Sequence, residues 1–213
     1  MCRKVIILCP GDTVTGGPEL LHQLAHELCM NGIDAGICYY PLHKKYQTPS
    51  EYSRYNTKNI DISDSENNII IIPESATILA NNLKKSEIII WWLSVDNYLG
   101  WKKESYIIDK IRHLYQLARR KKLTLNKLRK FRHLAQSEYA RAFLEKNNIV
   151  SAPLSDYIGN DHFIQKENPR ENIIAFNPKK GRLITRKIIK NNPDLNFVPL
   201  QGMSSQQVND VLS

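Results

Sequence analysis

The residues of this chain best suited to chemistry follow a short apolar run near its start. Residues 5–8 are apolar and rich in β-branched side chains, which predicts a buried strand, and the glycines and prolines after them predict a turn. From Pro18 the apolar residues recur at helical spacing. Gly16 and Gly17 would let a ligand approach the backbone where the free N–H groups of the helix favour an anion. The turn therefore predicts a phosphate-bearing ligand, and a plain strand-to-helix turn is the alternative.

Polar side chains follow two further predicted strands. Residues 68–72 run into Pro73, Glu74 and Ser75, and residues 87–93 run directly into Ser94, Val95 and Asp96. Ligands of open α/β sheets bind beyond the carboxyl ends of the strands, so Gly16, Gly17, Glu74, Ser94 and Asp96 are expected on one rim. We predict substrate contacts at Glu74 and Ser94. Asp96 is the candidate catalytic residue, as a base or a partner of a sugar hydroxyl, and the alternative is an aspartate that caps the next turn.

Two histidines and two tryptophans near these strands have simpler explanations. His22 and His26 lie four residues apart on one helix face, a spacing that suits a metal, but no third ligand is spaced to join them. We therefore predict no metal site and place both histidines on the solvated face of the helix. Trp91 and Trp92 are predicted to be core residues rather than substrate platforms.

The elements that would position these residues alternate between strand and helix. A strand, a helix from Pro18 and a second strand at 33–40 form a βαβ unit, which implies parallel pairing. Further strands are predicted at 68–72, 87–93, 134–137 and 151–158, with helices reaching residues 85 and 146. The polar segment 42–67, with three tyrosines, is predicted to be a long connection. Residues 1–159 are thus expected to form an α/β, Rossmann-like domain with a parallel sheet.

A second, shorter βαβ pattern follows a polar linker predicted at 160–171. Strands are predicted at 172–176 and 195–199, with a helix at 182–191 between them and another from Ser204, where Ser204 and Gln207 fit a capping box. Two parallel strands and two helices cannot cover both faces of a sheet. Residues 172–213 are therefore expected to be an incomplete second domain that leans on the first, pairs with another chain or is loosely ordered.

Composition and charge restrict the setting of the protein. The chain has 213 residues with 42% hydrophobic content, which suits a globular protein, and its four cysteines lack a CxxC pair, as in reduced cytosolic proteins. With neither a signal peptide nor a membrane span, a cytoplasmic location is expected. Residues 101–132 hold 12 Lys and Arg against two acids, within a net charge of +9. This run predicts peripheral contact with anionic lipid at the inner face of the membrane, or else a solvated charged face. Nucleic acid is not expected, because no exposed aromatics are interleaved with the charges.

Six short motifs, taken in order, resemble those of a known enzyme family. They are Thr-Gly-Gly-Pro-Glu-Leu-Leu at 15–21, Ile-Pro-Glu at 72–74, Trp-Leu-Ser-Val-Asp at 92–96, Ser-Asp-Tyr-Ile at 155–158, Asn-Pro-Lys-Lys-Gly at 177–181 and Phe-Val-Pro-Leu at 197–200. In this order they resemble GT-B glycosyltransferases that use nucleotide sugars, specifically the bacterial family-four type of surface polysaccharide assembly. The resemblance spans nearly the whole chain.

The resemblance implies two Rossmann-like domains, the first mainly for the acceptor and the second for the donor. It implies that Gly16 and Gly17 face the transferred sugar and the donor phosphate, and that Lys179, Lys180 or Arg182 holds the diphosphate. The implied reaction moves a sugar from a nucleotide sugar to a glycan or lipid-linked acceptor, with no cofactor or catalytic metal required. Because the acidic residues that hold the donor in such enzymes would lie beyond residue 213, turnover by this chain is expected to be slow or absent. The alternative is a non-catalytic protein that binds sugar, nucleotide or an anionic surface on the same scaffold.

Overall fold

The computed structural model divides the chain into two compact units, Met1–Asp156 and Tyr157–Ser213. The residues that the structure describes are 3–100, 111, 115, 122–157, 172–178, 181–203 and 205–212. The linker predicted at 160–171, Lys179, Lys180, Ser204 with its capping box and much of the basic run 101–132 fall outside these residues. Each unit is described by itself.

The first unit is built on a parallel sheet of six strands. Its strands are β1 (Lys4–Pro10), β2 (Ala35–Tyr40), β3 (Asn68–Pro73), β4 (Glu87–Trp92), β5 (Arg132–Ala135) and β6 (Ala152–Pro153). They lie in the order β2-β1-β3-β4-β5-β6, and every neighbouring pair is parallel. This confirms the prediction of an α/β fold with a parallel sheet.

Helices connect these strands. They are α1 (Gly16–Met30), a 3-10 helix (Ser50–Tyr55), a second 3-10 helix (Glu74–Asn82), α2 (Val95–Leu99), α3 (Leu125–Leu128) and α4 (Glu138–Lys146). Apolar side chains form one buried cluster on each face of the sheet, which is why its strands are apolar throughout rather than alternating. Trp92 belongs to one cluster and Trp91 to the other, so the prediction that both are core residues is confirmed.

Several predicted boundaries in the first unit are wrong: the strand expected at 134–137, for example, spans Arg132–Ala135. Three further differences have local reasons. Helix α1 begins at Gly16, not Pro18, because a proline tolerates any position in a first turn whose N–H groups lack helical partners. The helix expected up to residue 85 is a 3-10 helix ending at Asn82, with a non-helical backbone at Ala76. Of the strand expected at 151–158, the described residues contain only Ala152 and Pro153 as strand; the Leu154 amide still donates to the Ala135 carbonyl, but β5 ends at Ala135 and offers no further partner.

In its described residues, the second unit contains one parallel pair of strands and two helices. They are β7 (Ile173–Phe176), α5 (Arg182–Asn191), β8 (Asn196–Pro199) and α6 (Ser205–Leu212). These elements agree with the sequence prediction to within a residue. Among the residues described for this unit, no apolar side chain is fully buried, whereas the first unit has an extensive apolar core. In the described parts of the chain, no helix is both long and apolar enough to cross a membrane.

Candidate functional site

The candidate site lies at the carboxyl edge of the six-stranded sheet. Strand β1 pairs with β2 on one side and with β3 on the other, so the connections after β1 and β3 leave this edge at the point where the strand order reverses. Such a switch point is where open α/β sheets bind ligands. A Cβ atom placed on Gly17 would lie 3.8 Å from Leu93 Cδ1, and the Leu93 amide donates a 2.9 Å hydrogen bond to Glu74. Residues that follow β1, β3 and β4 are therefore contiguous at this edge.

The turn between β1 and α1 leaves open space beside Gly16 and Gly17. A Cβ atom on Gly16 would have no other atom within 4 Å, and one on Gly17 would make only an ordinary contact. At Gly11, by contrast, a Cβ atom would overlap the ring of Tyr46, which packs directly on that backbone. Gly11 thus serves packing, whereas the space beside Gly16 and Gly17 is free for a ligand.

A tyrosine from the long polar segment holds the start of α1. The Tyr52 hydroxyl accepts a 2.8 Å hydrogen bond from the Thr15 amide and donates a 2.9 Å bond to the Thr15 carbonyl. Thr15 is the N-cap residue of α1, but its side chain makes no capping hydrogen bond. The buried Tyr52 therefore fixes the residue that directly precedes Gly16.

The prediction that both helix histidines face solvent is wrong. His22 is fully buried, with Nδ1 2.8 Å from Thr57 Oγ1 and Nε2 3.0 Å from the Tyr39 hydroxyl, and its ring stacks on Tyr52. Burial lowers the pKa of His22 to about 4, so the ring is neutral at physiological pH. His26 is half-buried and donates from Nδ1 to the Tyr55 carbonyl at 2.9 Å. The cause is that segment 42–67 folds against this face of α1.

Metal binding finds no support in the described part of the chain. No three His, Cys, Asp or Glu side chains there are grouped so that they could hold a metal ion. Both nitrogens of His22 already have protein partners, and a buried aromatic stack occupies the space around the ring. The two histidines thus hold segment 42–67 against α1.

Glu74 lies at the end of β3 but is buried beneath the rim. Its carboxylate accepts the hydrogen bond from the Leu93 amide, and burial raises its pKa to about 7. The positive charge of Lys122 acts in the opposite direction, and that ammonium also donates to the carbonyls of Asn97 and Tyr98. Glu74 therefore ties the end of β3 to the end of β4. Its direct contact with a substrate stays a prediction.

Ser94 and Asp96 occupy the start of α2, immediately after β4. Ser94 is the N-cap, and its Oγ accepts a 3.2 Å hydrogen bond from the Asn97 amide. The residue that caps this turn is thus Ser94. The alternative explanation of Asp96, that it caps the turn, is wrong. Asp96 is half-buried and accepts a 3.1 Å hydrogen bond from the Tyr139 hydroxyl.

The rim extends further than the residues chosen from the sequence. Tyr139 lies in the first turn of α4, after β5, and reaches Asp96 after β4. Gln136, also after β5, donates a 2.8 Å hydrogen bond to Asp156, which follows β6. These three residues were missed as site residues, although each follows the end of a strand, and that signal is present in the sequence.

The second unit has a groove whose lining includes two arginines. An open depression of about 590 Å³ is lined by Phe176, Pro178, Arg182, Thr185, Arg186, Ile189 and Gln201. Its volume lies in the range of small-molecule sites, and guanidinium groups suit phosphate oxygens. Arg182, predicted to hold a diphosphate, begins α5 and stands at this groove. Lys179 and Lys180 lie outside the described residues.

Comparison of the sequence with protein-family models and with curated proteins finds no match. The candidate site is therefore supported by residue chemistry and by the geometry of the sheet edge. That geometry groups a glycine turn, a buried carboxylate and an aspartate–tyrosine pair at adjoining strand ends.

Proposed function

We propose that this chain is a glycosyltransferase-like protein of the GT-B type, which binds a nucleotide sugar and serves sugar transfer to a glycan or lipid-linked acceptor. The observation that carries the proposal is the position of the Gly16–Gly17 turn at the switch point of the sheet, where Gly17 lies beside Leu93, which follows β4 and is bonded to Glu74 after β3. Phosphate-bearing ligands are bound at this place in many open α/β sheets. The resemblance in sequence supplies the reaction class.

Each candidate residue has a role in this proposal. The amides of Gly16 and Gly17 bind donor phosphate or sugar oxygens, and the arginines of the second-unit groove suit a diphosphate. In the transfer, the acceptor hydroxyl oxygen bonds to the anomeric carbon while the bond from that carbon to the diphosphate oxygen breaks. The acceptor proton passes to the Asp96 carboxylate, whose orientation Tyr139 helps to set. Glu74 and Ser94 support the rim through their hydrogen bonds to backbone amides.

Association with an anionic membrane through 101–132 belongs to the same proposal, because a lipid-linked acceptor would be presented there. Arg119, Arg120, Lys121 and Lys122 are the residues predicted to make this contact. Reversal of the charges of the first three in the full chain tests it, and Lys122 is kept because its ammonium binds the carbonyls of Asn97 and Tyr98. We expect the variant to sediment less with anionic vesicles than the parent does. Equal sedimentation of variant and parent would leave only a solvated charged face.

The ligand site is tested by Gly17→Val in the full chain. A valine side chain would extend into the space that a phosphate or sugar must occupy, while the Cβ itself makes only an ordinary contact with Leu93. We expect Gly17→Val to fold as the parent does and to lose the thermal shift that nucleoside diphosphates or nucleotide sugars induce. Thermal unfolding with a panel of these compounds is the measurement.

Met30→Val is the matched control for this experiment. Met30 ends the same helix and is largely exposed, so the variant places an equally β-branched residue far from the rim. It should keep the ligand-induced shift in full. A shift that persists unchanged in Gly17→Val would place the ligand elsewhere and contradict the assignment of the glycine turn.

A non-catalytic binding protein is the second candidate function. It is favoured because the side chains of Glu74 and Ser94 already accept hydrogen bonds from backbone amides. Asp96 is then the one carboxylate proposed here for proton transfer. Binding without turnover distinguishes it from an enzyme. If the protein is non-catalytic, we expect no turnover of any nucleotide sugar that the chain binds. Turnover of about 1 per second or faster would contradict that expectation and exclude the non-catalytic reading.

A further inference from the structure

The outward surface of α5 is both apolar and basic. Leu183, Ile184 and Ile188 are 83%, 69% and 48% exposed, although they are large aliphatic residues. The half-buried Thr185 and Ile189, four residues apart, form the row opposite to this exposed side. Ile184 and Ile188, four residues apart, share one exposed row, and Leu183 lies about 100° from Ile184 around the helix. Exposed aliphatic side chains this close together usually mark an interaction surface.

Basic side chains border this apolar surface along the whole helix. Arg182, Arg186 and Lys190 recur every four residues and therefore form one row, which borders Leu183. Lys187 lies one turn beyond Leu183, between Leu183 and the row of Ile184 and Ile188. All four are exposed, and the helix contains no acidic residue. This combination, a short amphipathic helix with aliphatic residues on one side and Lys or Arg beside them, is typical of helices that lie in the interface of a lipid bilayer.

We infer that α5 is a docking surface for a bilayer containing anionic lipids. The aliphatic side chains enter the boundary between headgroups and acyl chains, while the row of Arg182, Arg186 and Lys190 lies at the level of the lipid phosphates. Lys187 reaches the same level by extending its long side chain away from the apolar residues. This surface is distinct from the basic run at 101–132, although Arg182 and Arg186 also line the groove proposed for a diphosphate.

The charge of the helix decides between an anionic bilayer and other occupants. A second copy of the chain would bring two helices together with four positive charges each, and this repulsion opposes pairing through α5. An anionic bilayer complements both features of the surface at once, since it accepts aliphatic side chains and attracts each basic one. Helix α5 also carries no aromatic residue for stacking on nucleic-acid bases.

Vesicle sedimentation of the full chain tests the inference. The vesicles contain either phosphatidylcholine alone or equal amounts of phosphatidylcholine and phosphatidylglycerol. We expect binding to the anionic vesicles, weakened by salt, and a loss of partitioning of about tenfold or more in Ile184→Gln/Ile188→Gln. Lys187→Glu/Lys190→Glu should cause a similar loss, and it leaves Arg182 and Arg186 at the groove unchanged.

Two controls separate α5 from general changes of surface. Val150→Gln removes a side chain that is 92% exposed in the first unit, and Lys84→Glu/Lys85→Glu makes the same change of net charge at exposed lysines outside α5. Both should bind the anionic vesicles as the parent does.

Three outcomes would overturn the inference. They are a parent that binds no anionic vesicles, α5 variants that bind as the parent does, and a concentration-dependent dimer in analytical ultracentrifugation that Ile184→Gln/Ile188→Gln abolishes. The last result would assign the surface to a second copy of the chain. Circular dichroism of each variant verifies that its fold is retained.

Discussion

In the first unit, apolar side chains from parallel strands are buried against connections on both faces of the sheet, whereas the described part of the second unit has no fully buried apolar side chain. The two units nevertheless share the same local pattern of strand, helix and parallel strand. The difference shows that a βαβ pattern sets the elements but not the amount of surface they bury. A parallel sheet is stabilised only when enough strands and helices cover both of its faces.

The largest expected effect is a difference in the cost of truncating a strand residue. Leu8 in β1 is fully buried and Ile174 in β7 is 43% exposed. We expect Leu8→Ala to lower the free energy of unfolding by about 2 to 5 kcal/mol, and Ile174→Ala by less than about 1 kcal/mol, since it leaves no enclosed cavity. Urea denaturation of both variants is the measurement. Equal losses would contradict the contrast between the two units.

The pH dependence of stability should reveal two buried groups of the first unit. His22 is held neutral, with a pKa of about 4 in the folded protein against about 6.5 in the unfolded chain. Between these values the unfolded chain binds the proton and the folded protein does not, so stability falls as pH falls from about 6.5 to 4. The loss amounts to about 3 kcal/mol at the acid end. Glu74 should cause the opposite trend.

For Glu74, burial favours the protonated form, with a pKa of about 7 in the folded protein. The contribution of Glu74 to the free energy of unfolding is fully present below about pH 4.5. It falls by about 3 kcal/mol as pH rises to 7. The two trends oppose each other in the parent, and burial also lowers the pKa of His133, which adds to the loss of stability at low pH. Relative to the parent, His22→Gln should gain stability as pH falls from 7 to 4.5, and Glu74→Gln should lose stability.

Urea denaturation between pH 4.5 and 8 measures these profiles. His26→Gln is the matched control, because it alters a histidine on the same helix that is only half-buried, and it should follow the parent. The slope of the free energy of unfolding against pH is compared with that of the parent. If it changes in the same direction in His22→Gln and Glu74→Gln, these two burial effects do not govern the pH dependence.

A smaller effect is expected at the helix starts, where the units also differ. Helix α4 is capped by Ser137, whose Oγ accepts a 3.4 Å hydrogen bond from the Ala140 amide, whereas α5 begins after Gly181 without a side-chain cap. Ser137→Ala should lower the free energy of unfolding by about 1 kcal/mol. Ser137→Asp should keep most of the parent's stability, because aspartate can also cap the helix. Thermal unfolding decides, and equal loss in both variants would show that the capping hydrogen bond is not the cause.

The strands and the glycine turn were accessible from the sequence because their signals are local. Runs such as 68–72 and 87–93 are apolar over the length of one strand, and the parallel order follows from the helices between them. The rim is also predictable in outline, since each of its residues follows a strand end. The burial of Glu74 was not predictable from the sequence, because the amide that binds its carboxylate belongs to Leu93, which lies 19 residues away.

By itself, the sequence determined the α/β class, the βαβ pattern of both units and the position of the Gly16–Gly17 turn, because periodicity and turn chemistry act over a few residues. Only the tertiary structure decided that His22 is buried, that Tyr52 holds Thr15 and that Tyr139 reaches Asp96. The residues in the last two contacts are 37 and 43 positions apart in the chain. Contacts of that kind depend on how a long connection such as 42–67 packs on the sheet and its helices, and no local pattern of residue types specifies that packing.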